Sequence, residues 1–189
     1  MKKNTLSKKL VAAVLIGTLA VPCAASAKES MEPRVSGAYI DVTRAGAEVE
    51  VFGWGCEDGK WAYINDDQKR STGWDYIDDR WYYFDQQGYT TSGWQYVNGS
   101  WYYMNEWGVM KTGWQNINGS WYYLDASGAM KNDWQNINGS WYFFNGNGVM
   151  LTGWQNIYGN WYYLDATGAM ACDTWIGDYY VNASGVWVK

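Results

Sequence analysis

The 189-residue chain contains no histidine, two prolines and three cysteines. Without histidine, imidazole acid–base chemistry, serine–histidine triads and histidine-ligated zinc are excluded. No glycine-rich phosphate loop opens a helix, and no long stretch carries a helical period. No carboxylate pair stands apart from the rest of the sequence, and nothing calls for a cofactor or a metal. The apolar run Leu10–Val21 falls well short of the ~20 residues a membrane-spanning helix needs.

What the chain has in excess is aromatic residues and glycine: 15 Trp, 17 Tyr and 22 Gly, with aromatics at 19%. They recur with a fixed step. Trp74, Trp94, Trp114, Trp134 and Trp154 are spaced by twenty residues, and so are Trp81, Trp101, Trp121, Trp141 and Trp161. Trp54 and Trp61 extend both series upstream in a looser copy. A fixed period of this size marks a repeat architecture. Each copy is too short to bury a core alone, so copies must stack on their neighbours.

One unit reads GWQNINGSWYYLDASGAM over Gly113–Met130. Asn118-Gly119 between two aromatic or β-branched runs predicts a hairpin closed by a type I′ turn, which needs positive φ at both central residues. Gly59, Gly99, Gly139 and Gly159 keep the second turn position, and Asp78-Asp79 is the exception. A two-residue turn sets Ile117 opposite Ser120, Asn116 opposite Trp121, Gln115 opposite Tyr122 and Trp114 opposite Tyr123. Strand alternation then places Trp114, Asn116, Trp121 and Tyr123 on one face, and Gln115, Ile117, Tyr122 and Leu124 on the other. The second face is the expected packing face. Tyr82, Tyr102, Tyr122, Tyr142 and Tyr162 are expected to pack hairpin on hairpin. Gly88, Gly108, Gly128, Gly148 and Gly168 share a phase that predicts positive φ or close backbone approach at a corner. Glycine also precedes the first Trp of most copies, and Asp133 breaks that series.

Taken in order, residues 1–27 read as a secretory signal: Lys2, Lys3, Lys8 and Lys9, the apolar core, then Ala25-Ser26-Ala27 as a small-residue cleavage site. These residues hold four of the 14 basic and none of the 19 acidic side chains, so their removal moves the net charge from −5 to −9. That balance disfavours nucleic acid and anionic membranes and mildly favours cationic ligands. Residues 28–52 read as a short lead that caps the first repeat, and residues 53–189 as the array, six full repeats and a truncated last one. Outside the signal, Cys56 and Cys172 read as inert thiols or as an intermolecular bridge in a homodimer. A bond between them is not expected, because a disulfide needs Cα atoms within about 7 Å.

Trp and Tyr on a solvent-facing strand surface point to recognition. Three aromatic walls suit a quaternary ammonium group, which has no N–H to satisfy and gains cation–π energy. Flat rings equally suit stacking on sugars. Composition and period leave both open.

The motif of Gly-Trp, six residues, Trp-Tyr-Tyr and a closing Gly-x-Met, repeated over residues 53–189, closely resembles the choline-binding (cell-wall-binding) repeats of Gram-positive surface proteins. The resemblance implies an all-β fold, a β-solenoid of stacked β-hairpins, with choline held between consecutive hairpins. It implies cages built from the two Trp of one repeat, the second ring after the next repeat's Trp, and the Met between. On this chain the sets are Trp94, Trp101, Met110 and Tyr123; Trp114, Trp121, Met130 and Phe143; Trp134, Trp141, Met150 and Tyr163; and Trp154, Trp161, Met170 and Tyr180. Upstream, Trp74, Trp81 and Tyr103 have Thr90 at the Met position, and Trp54, Trp61 and Tyr83 have Arg70.

The expectation is a secreted, non-enzymatic protein of the cell surface that binds choline or phosphocholine on the teichoic acid of the cell wall through many weak sites. A glucan- or glycan-binding module is the first alternative. An accessory that recruits a separate wall hydrolase is the second.

Overall fold

In the computed structural model, residues 53–57 and 59–189 are described. The expected signal and lead, residues 1–52, lie outside them, as does Asp58. Among the described residues the chain is all β, built of repeated hairpins. The strands are β1 (Gly53–Glu57) and β2 (Lys60–Ile64), β3 (Gly73–Ile77) and β4 (Arg80–Phe84), β5 (Gly93–Val97) and β6 (Ser100–Met104), and β7 (Gly113–Ile117) and β8 (Ser120–Leu124). They continue as β9 (Asp133–Ile137) and β10 (Ser140–Phe144), β11 (Gly153–Ile157) and β12 (Asn160–Leu164), then β13 (Thr174–Ile176), β14 (Tyr179–Val181) and β15 (Trp187–Val188). The first twelve form six two-stranded sheets, and the last three form one sheet in the order β13-β14-β15. The array divides into two compact units. One runs to Gln95 and includes Tyr103–Met110; the other comprises Tyr96–Tyr102 and Lys111–Lys189.

The register is the one that the two-residue turn dictates: Trp114 pairs with Tyr123, Gln115 with Tyr122, Asn116 with Trp121 and Ile117 with Ser120. Asn118 and Gly119 have φ of 52° and 83°, as a type I′ turn requires. Asp78-Asp79 closes β3 onto β4 with the same geometry, φ 47° and 61°, although neither residue is glycine.

The packing face is also as expected. Phe84 in the first unit, and Leu124, Phe144 and Leu164 in the second, occupy one repeat position and are at most 1% exposed. Val181 holds that position in the terminal sheet and is fully buried. Consecutive hairpins of the second unit are tied by backbone. Met150 N donates to Trp121 O at 2.8 Å, and the next residue, Leu151, donates to Phe143 O at 2.9 Å. Met170 and Ala171 repeat this on Trp141 and Tyr163. Each connector therefore holds its own hairpin and the one before it. A Cβ on Gly148 or Gly168 would overlap the sulfur of Met130 or Met150, so glycine is needed there for space as well as for its positive φ.

Each turn after a hairpin is closed by a short polar side chain. Asp125 Oδ1 accepts from Ser127 N at 2.8 Å and Ala129 N at 3.2 Å. Asn145 does the same for Asn147 and Val149, and Asp165 for Thr167 and Ala169. Such Asx turns fix the corner locally. Asp133, which breaks the glycine series, keeps a positive φ of 63°. Its carboxylate accepts from Trp134 N at 2.8 Å and from Tyr158 Oη, in the next hairpin's turn, at 2.9 Å. Cys172 is a free, exposed thiol, whereas Cys56 is disulfide-bonded and so is not an inert thiol; as expected, the two are not joined to each other.

Two predictions follow from the turns. Replacing Asp79 by Gly removes a side chain from a left-handed position and is expected to stabilise the chain by about 1 kcal/mol in thermal unfolding; an unchanged or lowered midpoint would contradict the strained turn. The second concerns acid. Burial raises the pKa of Asp125, but hydrogen bonds from Ser127 and Ala129 and the charge of Lys131 outweigh it, leaving the group below its ordinary value. The Thr167 hydroxyl, aided by backbone N–H groups, lowers that of Asp165. A depressed folded pKa contributes stability that is complete above the unfolded value and is lost as pH falls through the folded one. Stability is expected to decline below about pH 4, and a D125N/D165N variant, whose turns match the Asn145 turn, to decline less steeply.

Candidate functional site

The two Trp of each hairpin form a corner. Diagonal cross-strand positions bring Trp114 and Trp121 to 6.3 Å between ring centroids at an interplanar angle of 83°. Trp134 and Trp141 lie at 6.4 Å and 83°, and Trp74 and Trp81 at 6.4 Å and 87°. The second Trp of the regular copies is open to solvent to the same degree, 43–44% for Trp101, Trp121, Trp141 and Trp161. Constant exposure along the array means that the same face is offered each time. Trp114, Trp134 and Trp154 are half-buried behind it.

The ring that packs on the first Trp from the next hairpin is the first of its two. Tyr142 meets Trp114 at 4.8 Å, and Tyr162 meets Trp134 at 4.9 Å. Tyr123, Phe143 and Tyr163 instead lie 5.2–5.3 Å from Trp114, Trp134 and Trp154, their direct partners in their own hairpins. The reason is strand alternation. A residue on the face of its own hairpin's Trp cannot also occupy the inner face that lies on the preceding hairpin. Tyr142 and Tyr162, expected only to pack hairpin on hairpin, do so against the first Trp of the corner.

The methionine backbone ties consecutive hairpins in each unit. Met150 bonds to Trp121, Met170 to Trp141 and Met110 to Trp81, each N···O distance being 2.8 Å. Met130 bonds in the same way to Trp101. The backbone of the second Trp is thus met by the Met that follows the next hairpin. On the backbone, Trp81 is met by Met110 and Trp61 by Thr90.

The last set forms an open cavity of about 370 Å³ lined by Trp154, Trp161, Tyr179 and Trp187. Tyr179 stands where Tyr180 was expected; Tyr180 packs on Trp175 at 5.3 Å within its own hairpin. Trp187 follows Gly185 as Met170 follows Gly168. That phase was the signal by which it could have been found.

The upstream copies depart from this pattern. Trp54 is 1% exposed, enclosed by Trp61, Tyr63, Tyr82 and Phe84, and belongs to the core rather than to an open cage. Arg70 lies over the Tyr89 ring at 4.9 Å and Lys60 at 5.3 Å. Tyr83 faces Trp74 at 5.1 Å in its own hairpin. Of the first regular set, Trp94 and Met110 fall in the first unit, with Trp94 5.2 Å from Tyr103. Trp101 and Tyr123 fall in the second, with Trp101 5.1 Å from Tyr96.

Comparison with known proteins identifies the repeat. Residues 91–133 and 131–175 match a family model described as choline-binding repeat, and residues 72–89 match one for a cell wall binding repeat. The chain is similar to the solved structure of CbpJ from Streptococcus pneumoniae, at 43% identity and a TM-score of 0.70 over 72% of this chain and 48% of that one. It is similar to choline binding protein F from the same organism, at 42% identity and 0.70 over 74% and 48%. The modular autolysin LytC of that organism is more distant, at 27% identity and 0.51 over 71% and 37%. The chain thus spans about half the length of CbpJ and of choline binding protein F. No curated protein sequence matches it.

Double-mutant cycles test the packing of Tyr142 on Trp114. Unfolding of W114A, Y142A and the double variant is expected to give a coupling of about 0.5–1.5 kcal/mol. The Trp114 and Phe143 cycle is expected to give a coupling near zero, and the reverse order would contradict this packing.

Proposed function

The chain belongs to the choline-binding, cell-wall-binding repeat proteins, and from that premise we propose that it is a non-enzymatic surface protein that holds the choline of teichoic acid in aromatic corners between hairpins. The observation that carries this reading is the lining of the terminal cavity, four aromatic side chains and no charged one. A sugar needs directed hydrogen bonds from such a wall, and the Tyr179 phenol and indole N–H groups offer few. An onium group asks only for π faces and the exclusion of water.

The sets that support the reading in the second unit are Trp114, Trp121, Tyr142 and Met150; Trp134, Trp141, Tyr162 and Met170; and Trp154, Trp161, Tyr179 and Trp187. Each aromatic wall contributes about 0.5–2 kcal/mol to a bound cation. After association costs, one corner reaches roughly millimolar affinity, about −4 kcal/mol. Several corners on one choline-bearing polymer raise the effective affinity by roughly 10²–10⁴. The negative balance of the chain attracts the same cations. Export to the cell surface follows from the signal-like residues 1–27.

The test is retention of the protein on a tertiary- or quaternary-amine resin, with elution by free choline and a choline-dependent change in Trp fluorescence. Retention on dextran, with neither choline effect, would replace this reading by a glucan-binding one.

A further inference from the structure

Three departures from the repeat meet at one seam of the second unit. Asp133 stands where other copies have Gly93, Gly113 and Gly153. Phe143 stands where they have Tyr103, Tyr123 and Tyr163, and Tyr158 where they have Asn98, Asn118 and Asn138. Asp133 and Tyr158 are 25 residues apart and bond to each other, Tyr158 Oη donating to Asp133 Oδ2 at 2.9 Å. The Tyr158 ring meets Phe143 edge-on, at 6.4 Å and 80°, and Phe143 lies 5.2 Å from Trp134. Both partners of the bond hold left-handed backbone, with φ of 63° and 52°, which glycine and asparagine adopt more readily. Tyr158 is also 77% exposed, so burial of its ring does not offset that strain. Strained residues persist where their surroundings over-determine them, and they cluster at ligand sites.

The result is a carboxylate held beside an aromatic site. Its other oxygen, Oδ1, accepts from Trp134 N at 2.8 Å, so both oxygens have a partner and the side chain has a set direction. Lys131, two residues away, pairs with Asp125 at 3.6 Å. The hydrogen bond to Asp133 raises the pKa of the Tyr158 phenol, which therefore stays the donor. In the other copies glycine offers no side chain at this place. We propose that Asp133 is a specificity-determining residue: its charge makes the onium site that Phe143 borders favour choline over phosphocholine, and Tyr158 is the positioning residue that holds it there. The inference rests on the reading of the Trp corners as onium sites. A site of rings alone is indifferent to what the tail of the onium ion carries, provided that the tail reaches water. A carboxylate at the rim attracts the trimethylammonium group and repels a phosphate attached to it. For choline only the attraction operates, whereas for phosphocholine the repulsion cancels much of it. Along a phosphocholine-bearing polymer this seam is the weakest hold, and in free choline it is the first to fill.

Fluorine NMR of the full chain tests this, with para-fluorophenylalanine at its four Phe positions. The resonance of residue 143 is identified by its loss in F143Y, and it is followed in titrations with choline and with phosphocholine. Choline is expected to bind more tightly at this site. In D133G the ratio of the two affinities is expected to fall by about 2- to 5-fold at low ionic strength, the effect of one exposed charge, and by less at high salt. Glycine suits the positive φ of residue 133 and is what the other copies carry. Should D133G loosen the seam, D133N, which keeps the acceptor without the charge, decides in the same way. Y158F keeps the ring against Phe143 and drops the bond, and there the ratio and its salt dependence are expected to fall in part. An unchanged ratio in D133G and D133N, or a fall just as large at high salt, would overturn the proposal. An unchanged ratio in Y158F would overturn the role of Tyr158. No response of residue 143 to choline, with Trp fluorescence still responding, refutes this inference alone. No response of either refutes both it and the reading beneath it.

Discussion

The structure depends on a pair of backbone hydrogen bonds made by two adjacent residues. Met150 donates to Trp121 in the preceding hairpin, and Leu151 donates to Phe143 in its own. Two-stranded hairpins are at best marginally stable alone. These bonds convert a row of them into a stack by fixing where the second Trp of one lies relative to the rings of the next. Side-chain packing then completes the joint, since the Met130 and Met150 side chains fill the space that a Cβ would need at Gly148 and Gly168. A corner of two perpendicular indoles is a property of one hairpin. A corner with a third ring exists only because the connector holds two hairpins together.

This distinction explains what could be read in the residues and what could not. The hairpins, their turns and their register are set by contacts within a few residues. Asn118-Gly119 and the alternation of Trp114 with Gln115 were enough to specify them. The choice between Tyr142 and Phe143 as third ring depends on how one hairpin sits on another, which alternation within a strand does not encode. The same limit applies to the connector, whose Met150 backbone reaches Trp121 across the joint. A clue was nonetheless present. The face already identified as the packing face carries Tyr142 and Phe144, and packing faces are where a neighbour's ring must be met. Trp54 was misplaced for a related reason: its burial depends on Tyr82 and Phe84 in the following hairpin.

The carboxylates of the regular repeats serve the fold first and the ligand second. Asp125 and Asp165 close corners that Asn145 and Asn182 close equally well. Negative charge is therefore not required by the turn geometry. Where it is present it sits in corners whose hydrogen bonds already satisfy it, as the lowered pKa values of Asp125 and Asp165 reflect. Charge held in this way raises the local concentration of cations without competing for a place among the indoles, so long-range attraction and short-range recognition fall to different residues.

The two ends of the array show how little separates a core from a cage. Around Trp54 the skeleton is nearly that around Trp114: a perpendicular Trp at 6.5 Å, a cross-hairpin Tyr at 4.6 Å and a Phe at 5.9 Å. Around Trp114 the corresponding distances are 6.3, 4.8 and 5.6 Å. Yet Trp54 is closed to solvent, and Trp61 is less exposed than Trp121. The difference lies in what covers the corner. Tyr89, bridged through its backbone to Ala62, stands where the corners at Trp114 and Trp134 have the smaller Val149 and Ala169, and the cationic side chains of Lys60 and Arg70 lie over its ring. At the other end, Val181 and Trp187 make the opposite change, removing bulk from the floor and adding a wall. The hairpin scaffold is thus indifferent to ligand binding. Whether a given copy seals, holds or widens is decided by the few residues that its neighbour lays across it.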